Sequence, residues 1–92
     1  MQISSKLEVE GNRIVMEIGR ISAASAWHNK TASAEFYREG ALEKLKRLAK
    51  EFEADAIVGL DFSVDQVEEN DLAPLPLNRI SASGVAVKLA RG

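Results

Sequence analysis

The sequence predicts a small α+β subunit of β-α-β-β order: a mainly antiparallel three-stranded sheet, one helix on one face, and a short N-terminal edge strand. Three observations predict it. One segment alone, SAEFYREGALEKLKRLAKEFE, has helical periodicity, and three segments rich in β-branched residues alternate with a period of two. Ninety-two residues suit one core, since two would each be too small to bury enough apolar surface. The whole chain, 1–92, therefore reads as a single domain.

Gln2 to Ser5 is the short edge strand, and Glu10-Gly11-Asn12 is a turn signal. Arg13 to Ser22 alternates, with Ile14, Met16 and Ile18 on one side and Val15, Glu17, Gly19 and Ile21 on the other. It is the first long strand, and Gly19 in its interior marks a bulge or a close backbone approach. Ala23 to Ala32, small and polar apart from Trp27, is a connection.

Ser33 is the expected N-cap, and Glu35 falls in the first turn, where the helix dipole favours negative charge. At 100° per residue Ala34, Tyr37, Ala41, Leu45, Leu48, Ala49 and Phe52 share one face, with Leu42 at its margin. Phe36 and Gly40 stack on the outer side. Ala56 to Val64 is the second long strand, with Ala56, Val58, Leu60, Phe62 and Val64 on one face and Ile57, Gly59, Asp61 and Ser63 on the other. Glu68 to Asn78, with both prolines, is a loop. Arg79 to Leu89 is the third long strand, Ile80, Ala82, Gly84 and Ala86 facing one way and Ser81, Ser83, Val85, Val87 and Leu89 the other.

A right-handed crossover makes the first two long strands parallel. The short loop before the third makes it antiparallel to the second, and the simplest arrangement slots it between the other two. One helix then covers one side of the sheet, leaving Val85, Val87, Leu89 and Ile57 with Val15 or Ile21. Five such side chains left wet would each forgo roughly 1.5–3 kcal/mol. A second copy of the chain is the expected cover; the alternative is the chain's own N-terminal arm and proline loop. Val85, Val87 and Leu89, with Phe36 and Gly40 from the helix, are the expected interface residues, a lone exposed aromatic at Phe36 being the bland alternative.

Twelve basic against fourteen acidic residues, net charge −2, is a poor balance for a nucleic-acid binder. The absence of cysteine excludes disulfides, thiol catalysis and Cys-ligated zinc. No signal peptide or apolar span is evident, so the expected address is the cytoplasm and no membrane partner is expected.

The blocks EADAIVGLDFSVD and SASGVAVKL resemble the YbjQ family of small bacterial proteins. Ala54, Asp55, Ala56, Val58, Gly59 and Asp61 match the first block of the family pattern, and Ser83, Gly84, Ala86 and Val87 the second. Glu10-Gly11 followed by Ile14, and Gly19 after the strand, match as well. The resemblance implies a dodecin-like subunit assembled into a ring, typically a pentamer, in a family labelled heavy-metal-binding with no catalytic residues to carry over. Two departures stand out. The segment before the helix, AASAWHNKTAS, is shorter than the family's, and Glu53 stands where the family has glycine. If that position is left-handed, a non-glycine residue costs on the order of 1–2 kcal/mol.

No organic cofactor is read from the sequence; a metal ion is the one implied group. Soft metals prefer thiolates, and there are none. Asp61, Asp65, Glu68, Glu69 and Asp71 are hard-metal donors without calcium-loop spacing, and His28 is the sole imidazole. Asp61, Asp65 and His28 are the candidate ligand or metal residues, a solvated acidic loop being the bland alternative. Asp61, in an apolar strand, reads either as a perturbed acid in a pocket between subunits or as a structural carboxylate paired with Arg13, Arg20 or Arg79. Trp27-His28 is a stacking platform or, more simply, an anchor for its loop. The functional reading is a non-enzymatic homo-oligomer binding a small ligand or ion between subunits. The alternatives are an enzyme with an intersubunit site using Asp61 and His28, or an accessory domain of a partner protein.

Overall fold

The computed structural model describes residues 1–68 and 76–90. The elements in order are β1 (Gln2–Ile3), β2 (Ile14–Ala24), β3 (His28–Asn29), α1 (Ala34–Glu51), β4 (Ala56–Val67) and β5 (Leu77–Leu89). They form one mixed sheet in the order β1-β4-β5-β2, with β3 also paired to β5. The third long strand, β5, does lie between the other two and antiparallel to both. The sheet is larger than the sequence suggests, with five strands among the described residues. β1 is the expected N-terminal edge strand and runs parallel to β4; the addition is β3, a short strand from the segment read as plain connection. No helix among the described residues is long and apolar enough to cross a membrane.

The helix forms for the reasons visible in its sequence. Ser33 caps it, its hydroxyl accepting from the Phe36 N–H, and Glu35 occupies the first turn. Its buried stripe is Ala41, Leu45 and Ala49, flanked by half-buried Tyr37 and Leu48. At the exit the Ala54 N–H reaches the Ala49 carbonyl at 3.0 Å and the Glu53 N–H reaches that of Lys50 at 2.9 Å. This is a Schellman motif, in which the residue after the cap takes the left-handed conformation. Glu53 occupies it, with φ of 58°.

The three long strands pack one face on the helix: Ile18 and Ile21 from β2, Ile57, Leu60 and Phe62 from β4, and Ile80, Ala82 and Ala86 from β5. Only β5 keeps the strict alternation predicted for it. On β4 the register slips between Val58 and Asp61, so Ile57 and Leu60 share the helix face while Ala56 and Val58 face away. The cause is Gly59, whose φ of 62° inserts an extra residue and reverses the alternation. The expectation that Ala56 to Val64 keeps one apolar face is corrected accordingly. Gly19 does sit at a register shift, between Glu17 and Gly19, and a second shift lies between Ile14 and Met16.

The second face of the sheet has two unlike halves. Near the helix exit Val9 packs on Ala56, Val58 and Val87, with Ile14, Val85 and Leu89 half-buried around them. The N-terminal arm is held there by backbone bonds, Ser4 N–H to the Ile57 carbonyl at 2.9 Å, Gly59 N–H to that of Lys6 at 2.7 Å and Leu60 N–H to that of Ser4 at 3.0 Å. The chain's own arm, rather than a second copy, therefore covers Val87, which is fully buried. The proline loop falls largely outside the described residues, Glu69 and Asp71 with it. The other half of this face is polar, and nothing among the described residues covers it.

Candidate functional site

On that open half the strand register lines up hydroxyls and charges. Ser83 of β5 lies opposite both Ser22 of β2 and Asp61 of β4. One step further, Ser81 lies opposite Ala24 and Ser63, and beyond it Arg79 lies opposite Asp65. Arg20 stands at the inner border, opposite Val85. The result is a serine floor between an arginine at each end, with Asp61 and Asp65 along one side. The serines were legible as strand residues, but their convergence was not. It depends on the register, and on the Gly59 bulge that turns Asp61 and Ser63 to the face of Ser81 and Ser83.

Asp61 is exposed, so its reading as a buried carboxylate needing a partner is corrected: the bulge carries it out of the apolar layer. Arg79, one of its expected partners, is engaged by Asp65 instead, with Nη2 at 2.8 Å and Nε at 3.2 Å from the same carboxylate oxygen. The Arg79 guanidinium also lies over the Trp27 ring, 4.7 Å from its centre. A carboxylate on one side and an indole on the other hold this arginine in place.

His28 lies elsewhere. Its ring stacks on Tyr37 of α1 with centroids 3.7 Å apart and planes 7° from parallel, and Nδ1 is 3.2 Å from the Ala26 carbonyl oxygen, so Nδ1 is the donor. His28 is 5% exposed and Trp27 42%, so the anchor of the connection is the histidine and not the tryptophan. Ser25 assists. Its N–H donates to the Ile80 carbonyl at 2.8 Å and its hydroxyl accepts from the Ile80 N–H at 3.0 Å. Within one chain His28 is on the helix side of the sheet, and Asp61 is on the other.

Among the expected interface residues, Phe36 is 70% exposed and Gly40 is open, with nothing within 4 Å of where its Cβ would be. Val85 and Leu89 are half-buried. An open cleft of about 850 Å3 is lined by the arm's own residues, from Ile3 to Asn12.

Among the described residues no three His, Asp or Glu side chains converge as a metal centre would require. With no thiolate in the chain and the only imidazole stacked under the helix, the donors of one chain do not fit a soft heavy metal.

The fold is that of a small α+β domain, one helix over a mixed sheet, with a polar half on the sheet's other face. The chain belongs to the YbjQ family, whose model, described as "Putative heavy-metal-binding", matches residues 8–90. The fold is similar to the crystal structure of a protein of unknown function from Pediococcus pentosaceus, of the DUF74 family. The two share 20% identity over 98% of each chain, with a TM-score of 0.73. No curated protein matches the chain.

Proposed function

We propose that this chain is a non-enzymatic subunit that assembles with copies of itself into a closed ring, of five on the family resemblance. The serine-rich half of its second sheet face then receives a small polar ligand or ion between copies. The observation that carries the reading is the apolar surface the chain leaves uncovered. Val15, Met16 and Val64 are each 55% exposed and Phe36 70%. The Cα radius of gyration is 15.5 Å, against about 12 Å for a compact domain of this length. Covering the exposed part of four such side chains contributes on the order of 3–6 kcal/mol, comparable with the lower end of a small domain's stability. The arrangement of His28 and Asp61 on opposite faces gives an enzymatic reading no support from a single chain.

Native mass spectrometry tests the assembly: the expected species is a single multiple of the 10.0 kDa chain, and a monomer at all concentrations overturns it. Calorimetric titration with zinc, nickel and calcium tests the ion. Heat from one of them that is lost in Asp61→Asn supports an ion on this face, and silence from all three removes it.

A further inference from the structure

The sheet ends in two open edges of different character. Among the described residues β2 is paired with β5 alone. β4 is paired with β1 as far as Ile57, and the arm's backbone bonds reach only Leu60. From Asp61 to Val67 no strand among the described residues lies on its side away from β5. Unpaired edges of this length are templates for another strand.

The helix leaves a flank above each edge. Toward β4 a groove runs between α1 and the sheet, floored by Leu42, Leu60 and Phe62 and rimmed by Glu35 and Glu39. Arg38, on the same flank, is folded over the Phe62 ring, 4.3 Å from its centre. Toward β2 the flank consists of Lys44, Arg47 and Glu51, with Leu48, above Ala23. The first flank carries two carboxylates to one guanidinium, and the second two cations to one carboxylate, so their net charges are opposite. The two stand at the same height, because Ala23 and Phe62 are both register partners of Ala82.

We infer that copies of this chain join side by side through these flanks. The β2 edge of one copy, with Lys44 and Arg47 above it, seats against the Asp61–Val67 edge of the next, with Glu35 and Glu39 above that. No sliding along the strands is needed to bring the charges together. The backbone edges supply the attraction, and the charges set which edge meets which. Two β2 edges would oppose lysine and arginine to their like, and two β4 edges would oppose the glutamates. A contact between unlike edges is head-to-tail, and it closes into a ring when the rotation per copy allows. This inference rests on the assembly reading and names the surfaces that carry it.

The test is a charge exchange followed by sedimentation at low ionic strength. In Lys44→Glu/Arg47→Glu both flanks are acidic; in Glu35→Lys/Glu39→Lys both are basic. Folding of each is checked by circular dichroism. Each variant alone is expected to dissociate at concentrations about tenfold or more above the wild-type midpoint, as like charges facing each other cost several kcal/mol. An equimolar mixture is expected to reassemble, with both variants in one particle. A wild-type multimer whose two variants assemble equally well overturns the inference and leaves the assembly reading standing. So does dissociation of both variants without recovery on mixing. A wild-type chain that is monomeric throughout overturns both.

Discussion

Gly84 lies so close to Ile57 that a Cβ at position 84 would stand 2.6 Å from the Ile57 Cγ2, and 3.0 Å from the Val58 carbonyl oxygen. The approach is tight because β4 bulges at Gly59, directly across from this part of β5. The glycine is therefore needed for the neighbouring strand. Gly84→Ala is expected to destabilise the protein by about 1–3 kcal/mol, as overpacking in a filled core does, seen as a lower denaturant midpoint with unchanged slope. An unchanged midpoint would show that β4 shifts freely.

Glu53 presents the opposite case, a side chain where glycine is the better residue. Its left-handed backbone costs on the order of 1–2 kcal/mol, and part of the gain from glycine is returned as unfolded-chain entropy, about 0.4–1 kcal/mol. Glu53→Gly is expected to raise the melting temperature by a few degrees. A lower melting temperature would mean that the glutamate makes a contact that outweighs its backbone strain.

Asp55 fastens the helix exit to the end of β5. Its carboxylate accepts the Leu89 N–H at 2.9 Å and its own N–H donates to the Val87 carbonyl at 2.9 Å. Asp55→Ala removes the first bond and is expected to cost about 1.5–3 kcal/mol, measured by chemical denaturation. Asp55→Asn, which keeps an acceptor, is expected to recover part of it.

Val9 pins the arm over the second face. Val9→Asp places a charge against Ala56, Val58 and Val87 and is expected to release the arm. Hydrogen exchange reads this directly: the Gly59 and Leu60 amides, bonded to the arm, are expected to exchange faster, while amides of β2 facing β5 keep their protection. Equal acceleration everywhere would mean that the arm is inseparable from the core.

Much of the fold was legible because local chemistry decided it. Ser33, Glu35 and the Ala41, Leu45, Ala49 stripe announce the helix, and β5, which runs without a bulge, keeps the faces its alternation predicts. The order of the long strands followed from connection lengths and handedness. What was not legible depends on single backbone angles and on long-range docking. Gly59 in isolation does not reveal that it will reverse the faces of β4, so Asp61 looked buried and the serine floor went unseen. Trp27 drew attention by its size, yet His28 is what Tyr37 and the Ala26 carbonyl hold. The arm carries too few apolar residues to advertise that Val9 would take the place expected of a neighbouring chain.

The bulge at Gly59 has a consequence for length changes in β4. Deleting that one residue would act as a frameshift in space. The chain beyond it could keep its pairing with β5 only by exchanging sides, turning Phe62 to the water and Asp61 under the helix. A strand that tolerates many replacements would not tolerate being one residue shorter.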